Sequence, residues 1–308
     1  MEALYMVITT FSQLLSQYIK EKSLSPASIK TYSEVLKKFQ NDTKISRLDE
    51  VTFELLLDWR LDVIERSSDI TWNNYLRHMR AFWNFAISKQ YVGSHNPFAD
   101  LNWGKHRISK KKTIAQGQLL EITKYLSSDD CVFEPPWFWI TLIRFMYYTG
   151  LRRRQVISLQ WGDIDLDHGC IKISENNEKT GVARDLPIQF RLIHALTEYR
   201  AALYARNPRF IHDQSQLFNI TRLNTKYHCD TMSVNQLSGF FRRLGKKVGF
   251  PVSPHMLRHT MATEIAKAGQ IRQLQEILGH QDVRTTLEFY VHPSLEEMNS
   301  LMNELSDI

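Results

Sequence analysis

Several residue groups in the second half of the chain have the side chains and spacing to hold an anion and move a proton. Thr149-Gly-Leu-Arg-Arg-Arg154 follows a strongly apolar run, Pro136 to Tyr148. Gly150 breaks one helix there and Arg152 begins the next. Cations at a helix N-terminus oppose the macrodipole, so this placement asks for an anionic partner. His255 and Arg258 stand three apart, hence on one helical face, with Met256 and Leu257 turned the other way. An imidazole beside a guanidinium can bind a phosphate and transfer a proton. Gly279 permits a turn that presents His280, and Tyr290 follows ten residues later, the only tyrosine after Tyr227. Lys179, in Glu178-Lys-Thr-Gly181, sits at a hairpin tip from which a long side chain can swing over a ligand. H-x-x-R alone is a weak signal; the set is the informative feature.

The elements that must carry these groups read as mainly α with a small β-sheet. Apolar periodicity predicts helices over about 116–127, 136–149, 151–159, 188–205, 233–248, 256–268, 271–278 and 283–290. Cys170–Ile173 and Val182–Pro187 are strand-like runs around Asn176-Asn-Glu-Lys-Thr-Gly181, which has turn chemistry. The first hundred residues read as a bundle of four helices. The first runs from about Thr9 to Lys22. Ser25-Pro26 starts the second, over Ala27–Phe39. Val51–Val63 has Phe53, Leu56, Leu57 and Leu61 as its apolar pattern. Trp72–Tyr91 has Tyr75, Met79, Phe82 and Trp83 on its packed face, with Arg77, Arg80 and Lys89 off it. The boundaries expected are a helical domain at 1–104, a linker at 105–113 and a second domain at 114–308.

Charge supports the linker. The chain has 308 residues and a formal net charge of +6. Residues 1–104 hold 12 basic and 12 acidic side chains, whereas Lys105-His-Arg-Ile-Ser-Lys-Lys-Lys112 holds five basic and none acidic. Such a run is either a solvated tether or a segment laid along a phosphate backbone. Arg242, Arg243, Lys246 and Lys247 on the helix after Ser233 add a second basic group. Cys131, Cys170 and Cys229 form no C-x-x-C pair, so a disulfide scaffold and a structural zinc are not expected. No signal peptide or bilayer-length apolar run is visible, which leads to the expectation of a cytoplasmic, nucleoid-associated bacterial protein.

The run His255-Met-Leu-Arg-His-Thr-Met-Ala-Thr263, with Thr149-Gly-Leu-Arg152 upstream and Leu278-Gly-His280 and Tyr290 downstream, closely resembles the hallmark of the tyrosine recombinase (phage integrase) family. Leu24-Ser-Pro-Ala-Ser-Ile-Lys-Thr-Tyr32 and Asn96-Pro97 resemble the family's core-binding helical domain. The architecture resembles the short, two-domain Xer-like and integron-like members. The resemblance implies Arg152 and Arg258 as clamp arginines, His255 as the histidine of H-x-x-R, His280 as the second histidine and Tyr290 as the nucleophile. Lys179 matches the hairpin lysine, with Lys172 a weaker candidate. Two departures stand out. The acidic residue usual three positions after the first arginine is Gln155, and the His280–Tyr290 gap is ten where many members have nine.

What the resemblance implies is site-specific recombination. Two arginines neutralise the non-bridging oxygens of a phosphodiester. Tyr290 attacks with His255 as base, Lys179 protonates the leaving 5′-oxygen, and His280 bonds a phosphate oxygen. The 3′-phosphotyrosyl bond then allows strand exchange through a Holliday junction, with neither ATP nor metal. Neither a G-x-x-x-x-G-K-[ST] loop nor a two-metal carboxylate cluster is present in the sequence. The partners implied are double-stranded DNA clamped between the two domains, a homo-tetramer on two sites, and an accessory bending or directionality factor. DNA contacts are expected from Arg77, Arg80, Lys105, Arg107, Lys110, Lys111, Lys112, Arg242 and Arg243. Integration or excision of a mobile element is preferred over chromosome resolution because of the ten-residue gap. A type IB-like DNA-relaxing enzyme and, given Gln155, a catalytically weak DNA binder stay open.

Overall fold

The computed structural model describes residues 9–105, 112–175, 178, 181–224, 226–227, 229–279 and 283–290. The chain separates into two compact units, Met1–Ser109 and Lys110–Ile308.

The first unit packs α1 (Phe11–Glu21), α2 (Pro26–Thr43), α3 (Phe53–Arg66) and α4 (Asp69–Ser88). Each starts where a side chain satisfies an orphan amide: Thr10, Ser25, Thr52 and Ser68 accept from the third residue on. The Ser68 cap explains why α4 begins three residues before Trp72. The core is aromatic. Phe11, Phe39, Trp59, Trp72, Phe82, Trp83 and Phe98 are buried, and Phe39 meets Trp59 edge-to-face at 4.8 Å. Fully burying each such side chain contributes about 1.5–3 kcal/mol.

Two details differ from the reading of the sequence. On α3 the row that packs is Leu56, Trp59 and Val63, and Phe53, Leu57 and Leu61 are exposed. Arg80, placed off the packed face of α4, donates to Phe98 O at 2.9 Å, Ala99 O at 3.0 Å and Leu101 O at 2.6 Å. Its guanidinium also lies 4.5 Å from the Trp103 ring. Those carbonyls belong to a turn with no ladder of its own, and a fork of five donors is the group that satisfies them. Arg77 is exposed.

The second unit is built around α6 (Pro136–Thr149), apolar on nearly every side and buried at Phe138, Leu142, Phe145 and Met146. Around it lie α5 (Gln116–Leu126), α7 (Arg153–Ser158), α8 (Phe190–Arg206), α9 (Val234–Val248), α10 (Pro254–Lys267), α11 (Ile271–Leu278) and α12 (Val283–Tyr290). Trp139 of α6 stacks on Phe240 of α9 at 3.9 Å. An antiparallel sheet of order β1-β2-β3 joins β1 (Ile164–Asp165), β2 (Cys170–Ile173) and β3 (Arg184–Pro187). Ile171 pairs with Leu186 and Ile173 with Arg184, so the β2–β3 connection carries Glu178 and the Lys179 position. The two-residue β1 was too short to leave a periodic signal. Mainly α with a small sheet is the fold observed. No helix among the described residues is long and apolar enough to cross a membrane.

Gly150 ends α6 with φ +58°. A Cβ there would collide with the Met261 side chain. Gly150→Ala is therefore expected to cost about 1–2 kcal/mol for the left-handed backbone alone, read as a lowered Tm in a thermal melt.

Candidate active site

Arg152 caps α7. Its backbone N–H donates to Gln155 Oε1 at 2.8 Å, and its side chain extends to Glu178, with Nη1 3.6 Å from Oε2. Ser253 caps α10 and Pro254 takes its first position, where a missing N–H costs nothing. That start puts His255, Arg258 and His259 in the first two turns. Arg258 is 3% exposed. It donates to Gly150 O at the end of α6 and to Leu278 O at the end of α11, the latter at 2.8 Å.

Tyr290, the last described residue of α12, is 8% exposed. Its hydroxyl lies 2.7 Å from His259 Nδ1. Burial pushes the phenol above its usual range, while the charges of Arg258 and Arg152 and a hydrogen bond from Arg258 pull the other way. Burial pushes the Arg258 guanidinium down to about 10, helped by the charge of Arg152 and opposed by Tyr290. At neutral pH the site thus holds a neutral Tyr290 phenol beside a protonated Arg258.

Of the residues singled out in the sequence, Arg152, Arg258 and Tyr290 come together here. His255 is exposed, its ring centroid 4.6 Å from that of His259. Lys179, His280, Arg107, Lys110 and Lys111 lie outside the described residues, as does the tail after Tyr290. Lys105, Lys112, Arg242 and Arg243 are exposed.

Three site residues were not singled out. His259 touches the phenol that His255 was expected to serve. Its signal was its place one after Arg258 and one helical turn after His255. Glu178 is 6% exposed, and its Oε1 accepts from Gln155 Nε2 at 2.9 Å and from Arg184 Nε at 2.6 Å. Arg184 in turn donates to Glu276 O at 3.0 Å and Ile277 O at 2.9 Å, at the end of α11. Gly279, with φ +62°, fits between them: a Cβ would stand 3.0 Å from Arg184 Nε and 3.1 Å from Glu178 Oε1. The arrangement sets the guanidiniums of Arg152, Arg184 and Arg258 against one buried carboxylate and a buried phenol, a set suited to an anionic phosphoryl group.

The phage integrase family model matches residues 116–297. The chain is 30% identical to a XerC-type tyrosine recombinase of Pseudomonas aeruginosa, over 96% of this chain and 72% of that protein. It spans 64% of a second XerC-type relative, from Pseudomonas syringae, at 27% identity. It is 25% identical to tyrosine recombinase XerD of Staphylococcus epidermidis, over 92% of this chain and 94% of the other. In fold it is similar to the Tn1549 transposon integrase in complex with circular intermediate DNA, with TM-score 0.77, 22% identity, and coverage of 97% of this chain and 100% of that one. A lambda integrase tetramer bound to a Holliday junction has TM-score 0.72 at 17% identity, covering 92% and 77%. With its two arginines and its tyrosine in one site, the chain belongs to the phage integrase family of tyrosine recombinases, enzymes that break and rejoin DNA.

Proposed function

We propose that the protein recombines specific DNA sites by transient attachment of a strand to Tyr290, in the integration or excision of a mobile element. The observation that carries this is the buried Tyr290 hydroxyl, 2.7 Å from His259 Nδ1 and within the field of Arg152 and Arg258. A phosphodiester resists nucleophiles because of its own charge, and two guanidiniums on its non-bridging oxygens offset that charge. As the Tyr290 oxygen bonds to phosphorus, its proton passes to His259, with His255 behind it as the second member of a relay. The bond from phosphorus to the 5′-oxygen breaks, and Lys179 supplies that oxygen's proton. His280 holds a phosphate oxygen. The 3′-phosphotyrosyl bond keeps the energy of the one broken, so a 5′-hydroxyl from a partner strand rejoins it.

Several features support the wider assembly. The first unit is a helical, DNA-binding domain on this reading, with Arg77 among its contacts. The basic segment 105–112, together with Arg242 and Arg243, neutralises backbone phosphates. The lambda integrase neighbour is a tetramer on a Holliday junction, and a tetramer on two sites is proposed here with strand exchange through such a junction.

The test is a nicked suicide duplex carrying the junction sequence of the element's end. Wild-type protein is expected to give a covalent adduct resistant to denaturation, and paired sites are expected to recombine. Relaxation of supercoils without recombination would point to a type IB-like enzyme. Failure to form an adduct on its own site would leave a DNA binder. Because burial holds the phenol above its usual value, it is protonated at neutral pH. Raising the pH from neutral to mildly alkaline is expected to give no rise in cleavage rate from free phenolate. Single-turnover rates across pH check this.

A further inference from the structure

We infer that Glu178 is the positioning residue for Arg152, supplying from the β2–β3 connection the negative charge that residue 155 lacks. This rests on the strand-cleavage chemistry proposed above. Gln155 is buried and fixed at both ends of its amide. Its oxygen accepts the Arg152 N–H at 2.8 Å and its nitrogen donates to Glu178 Oε1 at 2.9 Å. It is a neutral bridge, and the anion stands one hydrogen bond further on.

The two Glu178 oxygens divide their work. Oε1 takes Gln155 and the Arg184 Nε, while Oε2 faces Arg152 Nη1 at 3.6 Å. A carboxylate this far out of water is costly unless it is paired. A β-hairpin has no need of one at this place, whereas an arginine that must meet a phosphate in a fixed orientation does. Arg184 completes the device by tying Glu178 to the carbonyls of Glu276 and Ile277. One carboxylate thereby links Arg152, the strand β3 and the end of α11, and Lys179 is its next neighbour in the chain.

The pairing is exclusive. An acidic residue at 155 would set two carboxylates within hydrogen-bonding distance of each other, where like charges repel. Gln155 and Glu178 are thus one unit, with the amide and the acid in exchanged places relative to an acid at 155.

The experiment is a reciprocal swap. Glu178→Gln is expected to slow adduct formation on the suicide duplex by about 10²-fold through misplacement of Arg152, with the protein still folded and duplex affinity reduced far less than the rate. Gln155→Glu alone is expected to be impaired as well. The double variant Gln155→Glu/Glu178→Gln, with acid and amide exchanged, is expected to recover most of the wild-type rate. Full activity in Glu178→Gln would overturn the inference, as would a folded double variant no better than Glu178→Gln.

A second measurement separates this from the proposed function. In the free protein, Arg152 is titrated with an arginine-selective dicarbonyl reagent and read by peptide mass spectrometry, with exposed Arg153 and Arg154 as internal controls. Glu178→Gln is expected to speed Arg152 modification severalfold and the double variant to reverse it. An unchanged rate overturns the positioning role even if the wild type forms no adduct, a result that would itself sink only the strand-cleavage reading.

Discussion

Tyr290→Phe is expected to abolish the covalent protein–DNA adduct, lowering its yield by at least about 10⁴-fold, while the protein still folds and binds its site. Phenylalanine keeps the ring that fills this buried position and removes one oxygen. The loss to stability is the hydrogen bonding of that oxygen with His259 and Arg258, about 0.5–1.5 kcal/mol per bond. Tyr290 belongs to one hydrophobic cluster with Met261, Ala262, Leu274 and Leu278, and the substitution keeps the ring in it. Gel detection of the adduct on the suicide duplex, beside a binding titration, separates chemistry from affinity. An adduct formed by Tyr290→Phe would place the nucleophile elsewhere.

Arg258 is expected to show the second large effect, and on two scales at once. Arg258→Ala removes the donors to Gly150 O and Leu278 O, leaving two buried carbonyls without that partner at about 1–3 kcal/mol each. Strand cleavage is expected to fall by about 10²–10³-fold or more, the usual consequence of removing a donor to a charge that grows in the transition state. Arg258→Lys does not rescue either property, because a compact ammonium cannot span two carbonyls and a phosphate in one plane. Denaturant unfolding and single-turnover cleavage, measured on the same preparations, report the two losses separately.

The sequence was informative where chemistry is local. Helix starts were legible at Ser25-Pro26 because capping uses neighbours in the chain. The apolar run into Gly150 marked both α6 and its end. Arg152, Arg258 and Tyr290 were legible as a set because the four motifs occur in order. The missed features depend on partners far along the chain. Glu178 is 23 residues from Gln155, and nothing in its own segment distinguishes a buried carboxylate from a solvated one. His255 and His259 lie one turn apart, so periodicity puts both on the same side of α10; which of them meets Tyr290 is decided by where α12 docks. On α3, two apolar rows compete, and the bulk of Trp59 against Phe39 and Trp72 selects the one that packs. Arg80 misled for a related reason, since a charged residue bordering a packed face reads as solvent-facing until the turn at 96–101 folds over it.

The carbonyls that hold Arg258 come from the C-terminal ends of two helices, α6 and α11, where the helix dipoles concentrate partial negative charge. A guanidinium standing between two such ends is stripped of its hydration shell when the protein folds, long before any DNA arrives. Meeting a phosphate then requires little rearrangement of solvent, and the attraction acts through a medium that screens it weakly. The cost of dehydrating this cation falls on the folding equilibrium, so each turn of the reaction begins with that step already complete.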